Sequence, residues 1–179
     1  MMMLLSQCSG NNQQSSSALT SEEQIKRGEY LVTTMGCNDC HSPKRMGPQG
    51  PEIIPELLLS GYPGDKPLPK VDTSIFRKGW VILTEDLTAA AGPWGVSYAA
   101  NLTPDASGIG NWPLENFKIA LKQGKFKGME GSRMLLPPMP WQNFIHITDE
   151  DVEAIYVYLQ SIPPVRNVVP AAIPLAEAK

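Results

Sequence analysis

Apolar residues recur at helical spacing in three stretches of the chain, separated by segments rich in proline, glycine and serine. Thr20 with Glu23, and Ser21 with Gln24, each match a capping box, and Ile25, Gly28, Leu31, Val32 and Met35 follow on one face. Gly36 ends this helix. Pro113 opens another, with Leu114, Phe117, Ala120 and Leu121 inward and Gly124 as its stop. Thr148 caps the last helix, where Asp149, Glu150 and Asp151 sit at the positive end of the dipole. Val152, Ile155, Tyr156 and Leu159 form its apolar face, and Pro163 and Pro164 end it. Two weaker patterns remain. Pro55, Glu56 and the leucines up to Leu59, stopped by Gly61, predict a short helix of about two turns. Residues 80–84 and 96–100 are rich in β-formers and predict a short hairpin around Pro93.

These elements read as an all-α fold with long loops and a short β-hairpin as an insertion. A chain of 179 residues, 42% hydrophobic and 18% charged, buries one ordinary core, and 17 prolines with 15 glycines imply many loops between few helices. The organisation expected is a disordered signal remnant and tether over 1–19, one folded domain over 20–164 and an irregular tail over 165–179. A net charge of -3 offers no basic surface, so nucleic acid is not expected as a partner. No run of about 18 apolar residues exists, so no membrane-spanning helix is expected. Residues 1–5 are apolar, Cys8 follows, and 11–18 are polar, an order similar to a bacterial lipoprotein signal. Cys8 is therefore a candidate lipid anchor, although Gln7 and the missing basic start depart from that pattern.

Directly after the first helix stand Cys37, Asn38, Asp39, Cys40 and His41. Cysteines three apart on a helical turn share a face and can reach the two vinyl groups of one haem, while the adjacent histidine turns under the ring toward iron. The expected cofactor is one covalent haem c with its iron, bound by Cys37 and Cys40 and ligated by His41. A dithiol redox pair would follow a strand in a βαβ unit, and this motif follows a helix. A structural zinc would need more ligands than Cys8 and His146 supply. The iron needs a partner on its other side, and a methionine thioether raises the potential of electron carriers. Met139, held between Pro138 and Pro140, is presented at low entropic cost and ranks ahead of Met134 and His146; Met129 and Met134 otherwise fill gaps.

From the helix bearing Gly28 and Tyr30, through the Cys37 to His41 motif, to Pro138, Met139, Pro140 and a last helix with Tyr158 and Leu159, the chain resembles class I cytochrome c. The resemblance covers residues 20–164 and implies a cytochrome c-like fold. It also implies that the first and last helices cross closely at Gly28, against Ile155, Tyr158 and Leu159. Asn101, Leu102, Thr103, Pro104 and Asp105, with Gly108, Ile109, Gly110 and Trp112, are similar to cytochromes found beside bacterial membrane-linked dehydrogenases. The span from His41 to Met139 exceeds that of a minimal cytochrome c, so 46–112 is expected to contain an insertion. Pro48 and Pro51 are candidates for the carbonyl that orients His41, and Trp80, Trp94, Trp112 and Trp141 for indole donors to the haem.

With both axial positions filled by protein, the iron has no open site, so the chemistry expected is one-electron transfer through an exposed haem edge, not catalysis. Partners are then redox proteins, a dehydrogenase donor and an oxidase or cytochrome acceptor. The alternative is the cytochrome c subunit of a multi-subunit dehydrogenase; a haem enzyme or gas sensor would need an open iron, which Met139 argues against. Haem attachment takes place on the export side, so the expected location is the periplasm or the outer face of the cytoplasmic membrane.

Overall fold

The computed structural model describes residues 19–178. Helix α1, Ser21–Thr34, begins at the predicted capping box: the Thr20 side chain accepts from Glu23 N–H, and the Glu23 carboxylate accepts from Thr20 N–H at 2.8 Å. Helix α2, Cys37–His41, follows after Gly36 takes the left-handed conformation with φ of 72°. Helix α3, Leu114–Gln123, starts after Pro113 and ends where Gly124 turns left-handed. Helix α4, Asp149–Ser161, is capped by the Thr148 hydroxyl.

The expected all-α class is not what forms. Two small antiparallel sheets lie between α2 and α3. The first is the hairpin of β1, Lys44–Gly47, and β2, Gly50–Ile53. Its residues are exposed or half-buried, so it carries no apolar alternation for the sequence to display. The second is a meander of β3, Ile82–Leu83, β4, Ala89–Gly92, and β5, Gly95–Tyr98. The turn at Pro93 is where it was expected, but the strand paired with β5 is the alanine run of β4 rather than residues 80–84. Alanine has low strand propensity; here three alanines are buried in the central strand of the sheet, paired on both sides. The predicted two-turn helix at Pro55 is a single 3-10 turn, Pro55–Leu57.

The main core joins Leu31 and Val32 of α1, Phe117 of α3, Val152, Ile155 and Leu159 of α4, and Leu59 and Ile109 from the loops. A smaller cluster packs Phe76, Ala91 and Val96 against Ile173 and Ala178 of the tail. The tail has no helix or strand, yet Ile173 exchanges two backbone hydrogen bonds with Val96, at 2.7 and 3.0 Å. Among the described residues, no helix is long and apolar enough to cross a membrane.

Candidate functional site

Cys37, Cys40 and His41 share the single turn of α2. Both thiols are free and half-buried, and burial pushes the Cys37 thiol up to about 11 and raises that of Cys40. Both are neutral at physiological pH, which a reactive dithiol pair would not be. The carbonyl end of this short helix is closed by one cation. Lys44 Nζ donates to the carbonyls of Asp39 at 2.6 Å, Ser42 at 2.9 Å and Asp86 at 3.0 Å. Burial lowers its pKa, and Asp39 and Asp86 oppose that.

The His41 ring nitrogen Nδ1 lies 2.8 Å from the carbonyl oxygen of Ala100. A carbonyl can only accept, so Nδ1 carries the hydrogen and Nε2 keeps a free lone pair. Burial lowers the pKa of the imidazole, with the Ala100 bond opposing, so the neutral form that a metal requires is favoured. Neither Pro48 nor Pro51, the expected orienting carbonyls, holds the ring: Pro51 lies in β2 and Pro48 in the turn before it. A backbone acceptor has no side-chain signature, so no sequence pattern points to Ala100.

Met139 lies on the loop between α3 and α4, half-buried, and with Leu135 and the rest of residues 137–142 it lines an open cleft of about 210 Å³. The loop is fixed at two points. Leu135 N–H donates to the Gly124 carbonyl at 2.6 Å, and Trp141 lies against Gly124 so closely that a Cβ there would meet the indole. The Ser97 hydroxyl donates to the Pro137 carbonyl at 2.5 Å. Residues 97–100 thus bond to the Met139 loop at one end and to His41 at the other. Extended chain rises about 3.3 Å per residue, so the two attachments lie on the order of 10 Å apart.

The other candidate ligands are exposed. Met134 pairs through its backbone with Lys125 and is exposed, Met129 is exposed, and His146 is exposed beside Thr148. Of the four tryptophans, Trp94 gives its N–H to Ser97 at 3.2 Å, Trp112 packs on the main core, and Trp80 is 68% exposed. Cys8 lies outside the described residues.

The Cytochrome c family model matches residues 25–163. The chain is 30% identical to the fructose dehydrogenase cytochrome subunit of Gluconobacter japonicus, over 76% of this chain and 21% of the relative. It is 29% identical to the gluconate 2-dehydrogenase cytochrome c subunit of Pantoea cypripedii, over 79% and 24%. It is 30% identical to the cytochrome c subunit of the quinone-type alcohol dehydrogenase of Gluconobacter oxydans, over 80% and 23%. The chain therefore spans a quarter or less of the length of these relatives. A family match that begins in α1, takes in the cysteine and histidine turn and runs to the end of α4 places this chain in the cytochrome c family of covalent haem c, electron-transferring proteins.

Proposed function

We propose that Cys37 and Cys40 hold one haem c through thioether bonds, that His41 binds the iron through Nε2, and that Met139 binds it from the opposite side. The residues fit the group: two neutral, unpaired thiols on one turn, an imidazole whose other nitrogen is already bonded, and a thioether lining an open cleft. The observation that carries the reading is the bonding of residues 97–100 to both sides of this site. Haem c supplies a one-electron couple. The chain's own residues do the rest. Lys44 and the Ala100 carbonyl hold the attachment turn and the ring, and the loop of Leu135 and residues 137–142 presents Met139.

The near-infrared band of a ferric haem with a methionine ligand tests the assignment. It is expected in the native protein and in Met134→Ala, and lost in Met139→Ala; its survival in Met139→Ala would remove Met139 from the site.

The relatives named as dehydrogenase cytochrome subunits support a more specific role, in which this chain receives electrons from a dehydrogenase and passes them to a further carrier. Such a role fits the periplasm or the outer face of the cytoplasmic membrane, with Cys8 as lipid anchor. Co-purification of a cofactor-bearing dehydrogenase with the tagged chain tests the partner, and labelled palmitate incorporation lost in Cys8→Ser tests the anchor.

A further inference from the structure

The segment after α4 takes no part in the reading above, yet it is bonded to both pieces of backbone that grip His41. Gly61 N–H donates to the His41 carbonyl at 2.8 Å, and the Ala100 carbonyl accepts from the His41 ring at 2.8 Å. Gly61 and Ala100 touch: with φ at +77°, any Cβ on Gly61 would run into the backbone of Ala99 and Ala100. Tyr62 N–H donates to Ala99 at 3.0 Å and Leu102 N–H to Leu59 at 2.8 Å, which encloses the pair.

Asn167 closes this arrangement from outside. Its amide group donates to the carbonyls of Ser60 at 2.7 Å and Tyr62 at 2.8 Å, the residues on either side of Gly61. Its side-chain oxygen accepts from Gly64 N–H at 2.8 Å. Asn101, next to Ala100, donates to the carbonyls of Val165 at 2.8 Å and Asn167 at 3.3 Å. Ser60, Tyr62 and Asn101 are buried and Asn167 is half-buried, so the bonds to the Ser60 and Tyr62 carbonyls are partly shielded from water.

We propose that Asn167 is a positioning residue for His41: by holding Ser60 and Tyr62 it presses Gly61 and Ala100 onto the histidine and sets the strength of the Nδ1–H bond to Ala100. The proposal rests on His41 being the iron ligand. A carbonyl that pulls on Nδ1–H makes Nε2 a stronger donor and favours ferric iron, so slackening it raises the reduction potential. A fold that merely loosens admits water beside the haem, favours the more highly charged ferric form and lowers the potential. The sign of the shift separates the two.

The test compares the midpoint potential and the exchange rate of the His41 Nδ1–H, by nuclear magnetic resonance, in haem-loaded native protein and Asn167→Ala. A raised potential with exchange at least tenfold faster is expected; an unchanged or lowered potential overturns the proposal. Where Asn167→Ala does not fold, the native protein decides. The Nδ1–H of His41 and the Gly64 N–H should exchange through one shared opening, and exchange at His41 while Gly64 stays protected overturns the proposal. In the ferric protein, an iron-bound His41 gives its Nδ1–H a large paramagnetic shift, so absence of that shift marks failure of the ligand reading itself.

Discussion

Gly28 on α1 and Ala154 on α4 are in backbone contact: the Ala154 carbonyl oxygen occupies the place where a Cβ on Gly28 would sit. The Cβ of Tyr158 stands on the other side of the same space, so no rotamer change makes room. The bidentate bond of Arg27 to Asp151, at 2.8 and 3.1 Å, fixes the two helices one residue away. Gly28→Ala must push the helices apart and is expected to destabilise the protein by about 3 kcal/mol, the upper range for overpacking. That corresponds to a fall in Tm of about 10 °C for a chain of this size. Thermal unfolding of the haem-loaded protein checks it, and a Tm within a degree of native would show that the crossing is slack.

Lys44 is the cation nearest the attachment turn by its bonds, capping the carbonyls of Asp39 and Ser42. A positive charge there stabilises the reduced haem, which carries one positive charge fewer. Lys44→Met removes it. At an effective dielectric constant near 20, such a charge contributes on the order of 1 kcal/mol, equal to a fall of about 40 mV in a one-electron potential. A spectroelectrochemical titration reads this directly, and an unchanged potential would leave Lys44 a cap and nothing more.

The three long helices were legible because each couples an apolar stripe to a start and stop signal: Thr20 and Gly36, Pro113 and Gly124, Thr148 and Pro163. The cysteine and histidine turn stood out as a motif because covalent haem attachment demands fixed spacing, here that of Cys37, Cys40 and His41. The β meander was legible only in its Pro93 turn and in β5, since β4 is three alanines and a glycine whose strand conformation comes from pairing between β3 and β5. The residues that support the site were hidden for another reason. Lys44, Ala100 and Asn167 act through backbone carbonyls, which carry no side-chain signature; Ala100 lies 59 residues from His41 and Asn167 more than a hundred from Ser60 and Tyr62.

Asp86 is a carboxylate with only 3% of its side chain exposed, paired with Lys66 at 2.9 Å and bonded by the Thr88 hydroxyl at 2.9 Å. Burial alone would raise its pKa, but the bonds from Lys66, Thr84 and Thr88 outweigh it and leave the value lowered. The unfolded chain therefore binds the proton more readily. The stability Asp86 contributes is full above its ordinary value near 3.8 and is lost as pH falls through the lower folded value. Asp86→Asn is expected to cost about 2 kcal/mol at pH near 7, less than full removal of a buried partner. The gap to native should narrow in denaturant titrations carried out in the acid range. A gap that stays constant into acid would show that Asp86 is not ionised in the folded protein.

Ser97 has one hydroxyl hydrogen and two carbonyls in reach, Pro137 at 2.5 Å and Ala90 at 3.4 Å, so the hydrogen belongs to Pro137. That bond, two residues from Met139, is a direct tie between the sheet and the ligand loop. Ser97→Ala frees the loop and also leaves the Trp94 N–H without its acceptor. Loss of one such bond is worth about 1.4 kcal/mol, or a tenfold change in the balance between bound and displaced methionine. In ferric protein a stronger base displaces a methionine ligand as pH rises. The near-infrared band of Ser97→Ala should therefore disappear about one pH unit earlier than that of the native protein. Disappearance at the native pH would mean that the two proline residues flanking Met139 hold it without help from the sheet.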